Sequence, residues 1–113
     1  MNKLIVKDAP AYKVEIFIGG DIEQAEALCG EYCDAVSLCV TVEPVTYVYK
    51  GGRCYGVRVG LINYARFPTP HGHIYALAFE LAEHLRINMD QGSFTVQDHE
   101  TSTFCSYRDE DQT

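Results

Sequence analysis

The chain has 113 residues, 47% of them apolar and 22% charged, and a formal net charge of -7. That length predicts one domain over residues 1–113, with a core that needs no disulfide or metal staple. The acidity excludes general binding to long nucleic acid or to anionic membranes, both of which need a broad positive surface, and no apolar run approaches the ~20 residues of a membrane span.

The opening stretch, MNKLIVKDAPAYK, lacks the apolar core of a signal peptide, usually ~7–15 residues. The five cysteines (Cys29, Cys33, Cys39, Cys54, Cys105) are odd in number and irregular in spacing. Both features predict reduced thiols and a cytoplasmic location. Leu4 to Val6 reads as a short edge strand. Tyr12 to Ile18 alternates into a continuous apolar end and predicts a strand. Gly19-Gly20 breaks it. Asp21, with Gln24 three positions on, is a helix N-cap signature. The helix that follows carries Ile22, Ala25, Leu28, Cys29, Tyr32, Cys33 and Val36 at intervals of three and four, which is one face. Asp21, Glu23 and Glu26 fill its first turn, so the Gly-Gly turn is not a phosphate cradle: those carboxylates suit the helix dipole and would repel a bound anion. Cys29 and Cys33 share the buried face, which favours packing over zinc, since four ligands are wanted and no CxxC pair exists.

Ser37 to Tyr49, rich in Val, Thr and Tyr, predicts a strand, and Pro44 within it marks an edge or a bend. Lys50-Gly51-Gly52-Arg53 is a hairpin turn signal. The return strand is Cys54 to Tyr64. Val57, Val59 and Leu61 point to one face of it; Arg58, Gly60 and Ile62 point to the other. Thr69-Pro70 is a helix start, as N-cap and first helical residue. Ile74, Leu77, Ala78, Leu81, Ala82 and Leu85 form its apolar stripe, and Gly92 is the expected stop. Two strands follow, Ser93 to Gln97 and Thr101 to Tyr107. Residues 108–113 form a polar tail. The order strand, helix, strand, strand, helix, strand, strand predicts an α+β fold: a split βαβ, ferredoxin-like sheet with two helices on one face and an added C-terminal strand. The other face, where Tyr47, Tyr49 and Tyr55 are expected, is left for a ligand or another subunit.

The stretch GVRVGLINYARFPTPHGH, residues 56–73, lies in a charge anomaly. No Asp or Glu occurs between Glu43 and Glu80, while Lys50, Arg53, Arg58 and Arg66 do. A basic, aromatic-bearing window in an acidic chain suits a small anionic ligand. Arg58, Arg66 and Arg108 are the candidate anion binders, because guanidinium forks match phosphate oxygens in pairs. Phe67, Phe79, Phe104 and Tyr64 could stack on a base, although core packing is the commoner fate of Phe79. The Asn63 amide can read an adenine edge or a ribose hydroxyl. Arg108-Asp109 offers an anion binder beside an acceptor for a ribose or base donor. His71-Gly72-His73 holds two imidazoles but has no carboxylate in its acid-free window, so no metal site is expected there. No nucleophile-base order is recognisable, which favours binding over turnover. Three functions stand side by side: a small-molecule binder, a small ferredoxin-like enzyme acting on a nucleotide signal, and an oligomeric inhibitor that contacts a protein.

In GLINYARFP, with the preceding LCVTVEPVTYVYKGG, the chain resembles the first described family of phage Thoeris anti-defence proteins. The resemblance extends from the Val14-Glu15-Ile16 strand through the helix ending in LAEHL to the QGSFTV strand. It implies a non-enzymatic sponge, free of metal and cofactor, that sequesters glycocyclic ADP-ribose and, in some members, cyclic oligonucleotides. It further implies homo-oligomers, hexamers among them, with pockets between subunits, working in the cytoplasm of the bacterial host. Arg108 and Asp109 carry over first; Phe79, Asn63, Arg58 and Arg66 follow.

Overall fold

A computed structural model describes residues 1–112. Strand β1 (Lys13–Gly19) leads into helix α1 (Ile22–Val36), then strands β2 (Thr41–Tyr49) and β3 (Gly52–Ile62), helix α2 (His71–Asn88), strands β4 (Ser93–Gln97) and β5 (Ser102–Ser106), and a 3-10 turn at Asp109–Asp111. The five strands form one sheet in the order β2-β3-β1-β4-β5. Every neighbouring pair is antiparallel. The first four strands make the split βαβ arrangement, and β5 extends it beyond β4, as the element order predicts.

Strand alternation divides the sheet into two chemically different faces. Val14, Ile16 and Ile18 of β1, Val57, Val59 and Leu61 of β3, and Phe94 and Val96 of β4 are all buried. Against them α2 lays Ile74, Leu77, Ala78, Leu81, Ala82 and Leu85, and α1 lays Ala25 and Cys29. Each fully buried aliphatic side chain contributes about 1.5–3 kcal/mol. No polar or charged residue is buried among the described residues, so this layer carries packing and no chemistry.

The element ends follow local rules. The Asp21 carboxylate accepts the Gln24 N–H at 3.0 Å, the expected N-cap bond. Helix α2 begins one residue later than the Thr69 cap predicts. Pro70 takes the cap position and, having no polar side chain, makes no side-chain cap bond, while the Thr69 N–H donates to Asn63 Oδ1 at 2.9 Å. The helix also ends before Gly92: Met89 is its C-cap and Asp90 adopts the left-handed conformation at φ 54°, a turn that Asp tolerates. Leu4, Ile5 and Val6 are 89%, 78% and 72% exposed and form no edge strand, since no neighbouring strand is present to pair with them. Pro44 lies on β2, an edge strand, where its missing N–H costs no ladder bond. Tyr55 pairs with Thr46 and shares the parity of Val57, so it stands on the helix-side face and not beside Tyr47.

Among the described residues no helix is long and apolar enough to cross a membrane. All five cysteines are free; Cys29 is buried, while Cys39 and Cys54 are exposed. Burial, reinforced by the neighbouring Cys33, pushes the Cys29 thiol up to about 12, so it packs as an inert apolar group.

Candidate functional site

The open face of the sheet carries Lys13, Glu15, Phe17 and Gly19 from β1. Beside them stand Cys54, Gly56, Arg58 and Gly60 from β3 and Thr41, Glu43, Val45, Tyr47 and Tyr49 from β2, with Ser93, Thr95 and Gln97 from β4 and Phe104 from β5, by the strand register. A hollow of about 240 Å³ opens at one end of this face. Phe17, Tyr47, Phe104 and Arg108 wall it, with Ser93 and Thr95 supplying hydroxyls. Phe17 and Phe104 both interrupt polar alternation with an aromatic ring. Phe104 leaves 59% of its surface in solvent, so its ring is available for stacking.

Two glycines shape the hollow. Tyr47 folds across Gly56, where a Cβ would meet the ring carbon Cε2 at 2.6 Å. Its hydroxyl then donates to the Val57 carbonyl oxygen at 2.8 Å. Burial raises the Tyr47 phenol above its usual value, so it is a neutral wall and not an acid or base. Arg108 lies over Gly92, where a Cβ would come within 2.7 Å of its Cγ and Nε. The Arg108 backbone is held in place: its N–H donates to Ser106 Oγ at 3.1 Å, and that hydroxyl in turn donates to the Asp111 carboxylate. The C-terminal stretch expected to be a loose polar tail is thus folded back through Asp111; Thr113 lies outside the described residues.

The other sequence-derived residues scatter. Arg58 is the cross-strand partner of Phe17, on the face expected for it, but does not itself line the hollow. Its guanidinium is engaged. Nη2 lies 3.2 and 3.1 Å from the two Glu43 oxygens, and Nε lies 3.4 Å from Glu15. Glu43 offsets its charge, and Glu15 is shared between Arg58 and Lys13. The acid-free window in sequence is therefore not acid-free in space. Asn63 spends both ends of its amide on structure, donating to the Pro10 carbonyl at 2.9 Å and accepting from Thr69. Phe79 packs between helix and sheet, with ring centroids 5.1 Å from Tyr75 and 6.4 Å from Phe94. Phe67 rests against Tyr64, centroids 5.3 Å apart, and is half exposed. Arg66 borders a separate hollow of about 430 Å³ with Ile5, Lys7 and Ala65. Asp109 is exposed at the start of the 3-10 turn and does not line the hollow beside Arg108. Of the seven ligand candidates, then, Arg108 alone lines the aromatic hollow. Sequence reasoning put Tyr47 on this face without naming it a ligand residue, and passed over Phe17 and Thr95; the available signal was the apolar ring of Phe17 on the polar parity of β1.

No protein-family model matches the sequence, and neither does any curated protein. Two solved structures of phage SAM lyase share the fold. A phage SAM lyase in its apo state superposes with a TM-score of 0.67 at 13% identity, over 94% of this chain and 98% of that one. A phage SAM lyase in complex with S-methyl-5'-thioadenosine gives 0.60 at 10% identity, over 93% and 96%. The periplasmic divalent cation tolerance protein CutA from Archaeoglobus fulgidus gives 0.41 at 12% identity, over 90% and 87%. The expectation of a chain that binds without turnover is corrected by this finding. The architecture, nearly end to end, is one that carries a lyase in two solved phage structures. The likeness is to a phage enzyme and gives no support to the sponge family in particular.

Proposed function

We propose that this chain is a small phage-type enzyme that takes an adenine nucleoside derivative into the aromatic hollow on the open sheet face, with a sulfonium nucleoside such as S-adenosylmethionine as its substrate. The observation that carries the reading is the hollow itself: Phe17, Tyr47, Phe104 and Arg108 around glycine backbone, on a fold shared with phage SAM lyase. Aromatic rings suit an adenine, at about 1–3 kcal/mol for a stacked base. The Arg108 guanidinium suits the carboxylate of the amino acid portion as well as it suits a phosphate. Chemistry at a sulfonium also fits the absence of an acid-base pair from the hollow lining. A neutral thioether is a good leaving group: attack of the substrate's own carboxylate oxygen on the γ carbon would form a C–O bond, closing a lactone, as the C–S electron pair leaves with S-methyl-5'-thioadenosine, a step that asks for positioning and exclusion of water and for no external base. Consuming such a metabolite, or an adenine-containing immune signal, would serve a phage against bacterial defence in the host cytoplasm.

The hollow is open on one side, and Phe104 and Tyr49 stand exposed around it. A second copy of the chain laid on this face would close the site and exclude water, which is the arrangement proposed here for a homo-oligomer, a hexamer being the form the sequence resemblance implies.

Incubating the purified protein with S-adenosylmethionine and, separately, with glycocyclic ADP-ribose, followed by mass analysis of the small molecules, tests the reading. S-methyl-5'-thioadenosine accumulating over many turnovers per chain is the expected result. Intact S-adenosylmethionine with an altered cyclic nucleotide would keep the enzyme and replace its substrate. Both compounds returned unchanged would overturn the proposal.

A further inference from the structure

At the opposite end of β1 from the hollow, folding assembles a group that the sequence does not place together. His71 sits in the first turn of α2, and Asp98 and His99 occupy the turn between β4 and β5. One ligand-competent atom from each of the three lies within 4.8 Å of the others. The Asp98 side chain is only 7% exposed, and its two oxygens have different surroundings. Oδ1 accepts the N–H groups of Glu100 at 2.9 Å and Thr101 at 2.7 Å, which fixes the turn. Oδ2 points at His71 Nε2, 3.1 Å away. That contact is not aligned as a hydrogen bond, and Nε2 is a buried nitrogen with no hydrogen-bond partner among the described residues. The His71 ring is held from the side by Tyr12, edge-on at 4.9 Å between centroids, and by Tyr75 at 6.0 Å. The His99 ring stands 5.5 Å from it.

We infer that His71, Asp98 and His99 form a binding site for one divalent transition-metal ion. Two imidazoles and a carboxylate suit zinc, nickel, cobalt or copper and not magnesium or calcium, which take oxygen ligands almost exclusively. Metal–nitrogen and metal–oxygen bonds of about 2.0–2.2 Å put ligand atoms on one ion roughly 3.3 Å apart. The His71–Asp98 pair stands at that spacing already, and a rotation of the exposed His99 side chain closes the third position. Asp98 can serve two tasks because its oxygens are already divided: one holds the backbone and the other faces the histidine. Three protein ligands leave coordination positions open, and beside Asp98 and His99 lies a hollow of about 260 Å³ bordered by Lys13, Glu15 and Gln97, room for water or a ligand oxygen on the ion. Lys13 would oppose a cation there, but Glu15 at 3.5 Å offsets it.

Calorimetric titration of the full chain with nickel and with zinc, backed by absorption spectra of the cobalt form, tests the site. One ion per chain is expected, with affinity lowered tenfold or more in Asp98→Asn and in His99→Ala while both metal-free variants keep the wild-type fold by circular dichroism. Asp98→Asn retains an oxygen for the Glu100 and Thr101 N–H groups, so it removes the charge and spares the turn. The cobalt spectrum is expected to lack thiolate charge-transfer bands. Such bands would place the ion on cysteines and overturn the site, as would undiminished affinity in both variants or no binding at all. None of these readouts depends on turnover, so the site and the proposed activity stand or fall separately.

Discussion

Arg108 is the one charged side chain that both sequence and structure put at the aromatic hollow, and nothing in the fold requires it there. It is exposed, its guanidinium has no carboxylate among its described hydrogen-bond or ion-pair partners, and it covers Gly92. Sequence singled it out as the only base in an acidic terminus. What sequence does not supply is the partner: Asp109, adjacent in the chain, points elsewhere, while Phe17, Tyr47 and Phe104 come from three other strands. A charge-assisted hydrogen bond contributes about 1.5–3 kcal/mol, or about ten- to a hundredfold in affinity. Arg108→Ala is therefore expected to weaken binding of S-adenosylhomocysteine, which keeps the amino acid carboxylate and cannot be cleaved at a sulfonium, by tenfold or more. Binding of S-methyl-5'-thioadenosine, which lacks that carboxylate, should change by less than about twofold, and stability by no more than about 0.5 kcal/mol as for other surface changes. Gly92→Ala should mimic it, because the new Cβ pushes a flexible side chain aside and disturbs no backbone. Titration of both ligands into both variants decides the matter. Equal losses for the two ligands would assign Arg108 to the nucleoside, and no loss would remove it from the site.

Among the elements, the turn between β4 and β5 shows where pattern reading stops. Periodicity placed both helices and the return strands, because the 3.6 and 2.0 repeats of apolar residues are imposed by one continuous core. The stripe from Ile74 to Leu85 and the row Val57, Val59, Leu61 pack as read. Turns carry no period. Neither the approach of Asp98 to His71 nor the two carboxylates around Arg58 has a local sequence signal; each is fixed by strand register. The Asp98 carboxyl is held below its usual value, first by the N–H of Thr101, then by that of Glu100, with smaller contributions from His71 and His99. A carboxyl whose folded pKa is depressed lends stability that is present above its unfolded value of about 3.9 and is lost as pH falls from there through the folded value. In a chelator, the stability of the wild type should accordingly drop more steeply as pH falls below about 4 than that of Asp98→Asn, whose amide does not titrate. Above pH 5 the two curves should run parallel. Denaturant midpoints across that range check it; parallel curves below pH 4 would show that the turn holds no depressed carboxyl.

For the molecule as a whole, two faces of one sheet have opposite fates, and that contrast leads to assembly. The helix-side face is sealed by aliphatic packing. The open face combines an ion-paired patch at Arg58, Glu15 and Glu43 with an aromatic region at Phe17, Tyr47, Tyr49 and Phe104. Exposed aromatic rings clustered around a hollow are more than a monomer surface usually leaves bare. The sequence placed Tyr47 and Tyr49 on this face, with Tyr55 wrongly among them, but alternation is blind to whether a face meets water or a second chain, so the subunit number is not legible in either sequence or single-chain fold. Phe104 separates the outcomes, because it is 59% exposed and lies on the edge strand β5, away from the core. Phe104→Asp should fold as the wild type does. If the open face is the contact between subunits, the wild type should have a solution mass that is a multiple of 12.7 kDa. The variant should then dissociate toward a single chain, because each interface would bury an unpaired carboxylate. Turnover should fall with it, since the second copy is what closes the hollow. Light scattering on both proteins at matched concentration reads the mass directly. A wild type that is already monomeric, or a variant that keeps the same mass, would place any assembly on another surface and leave the hollow to close by its own chain.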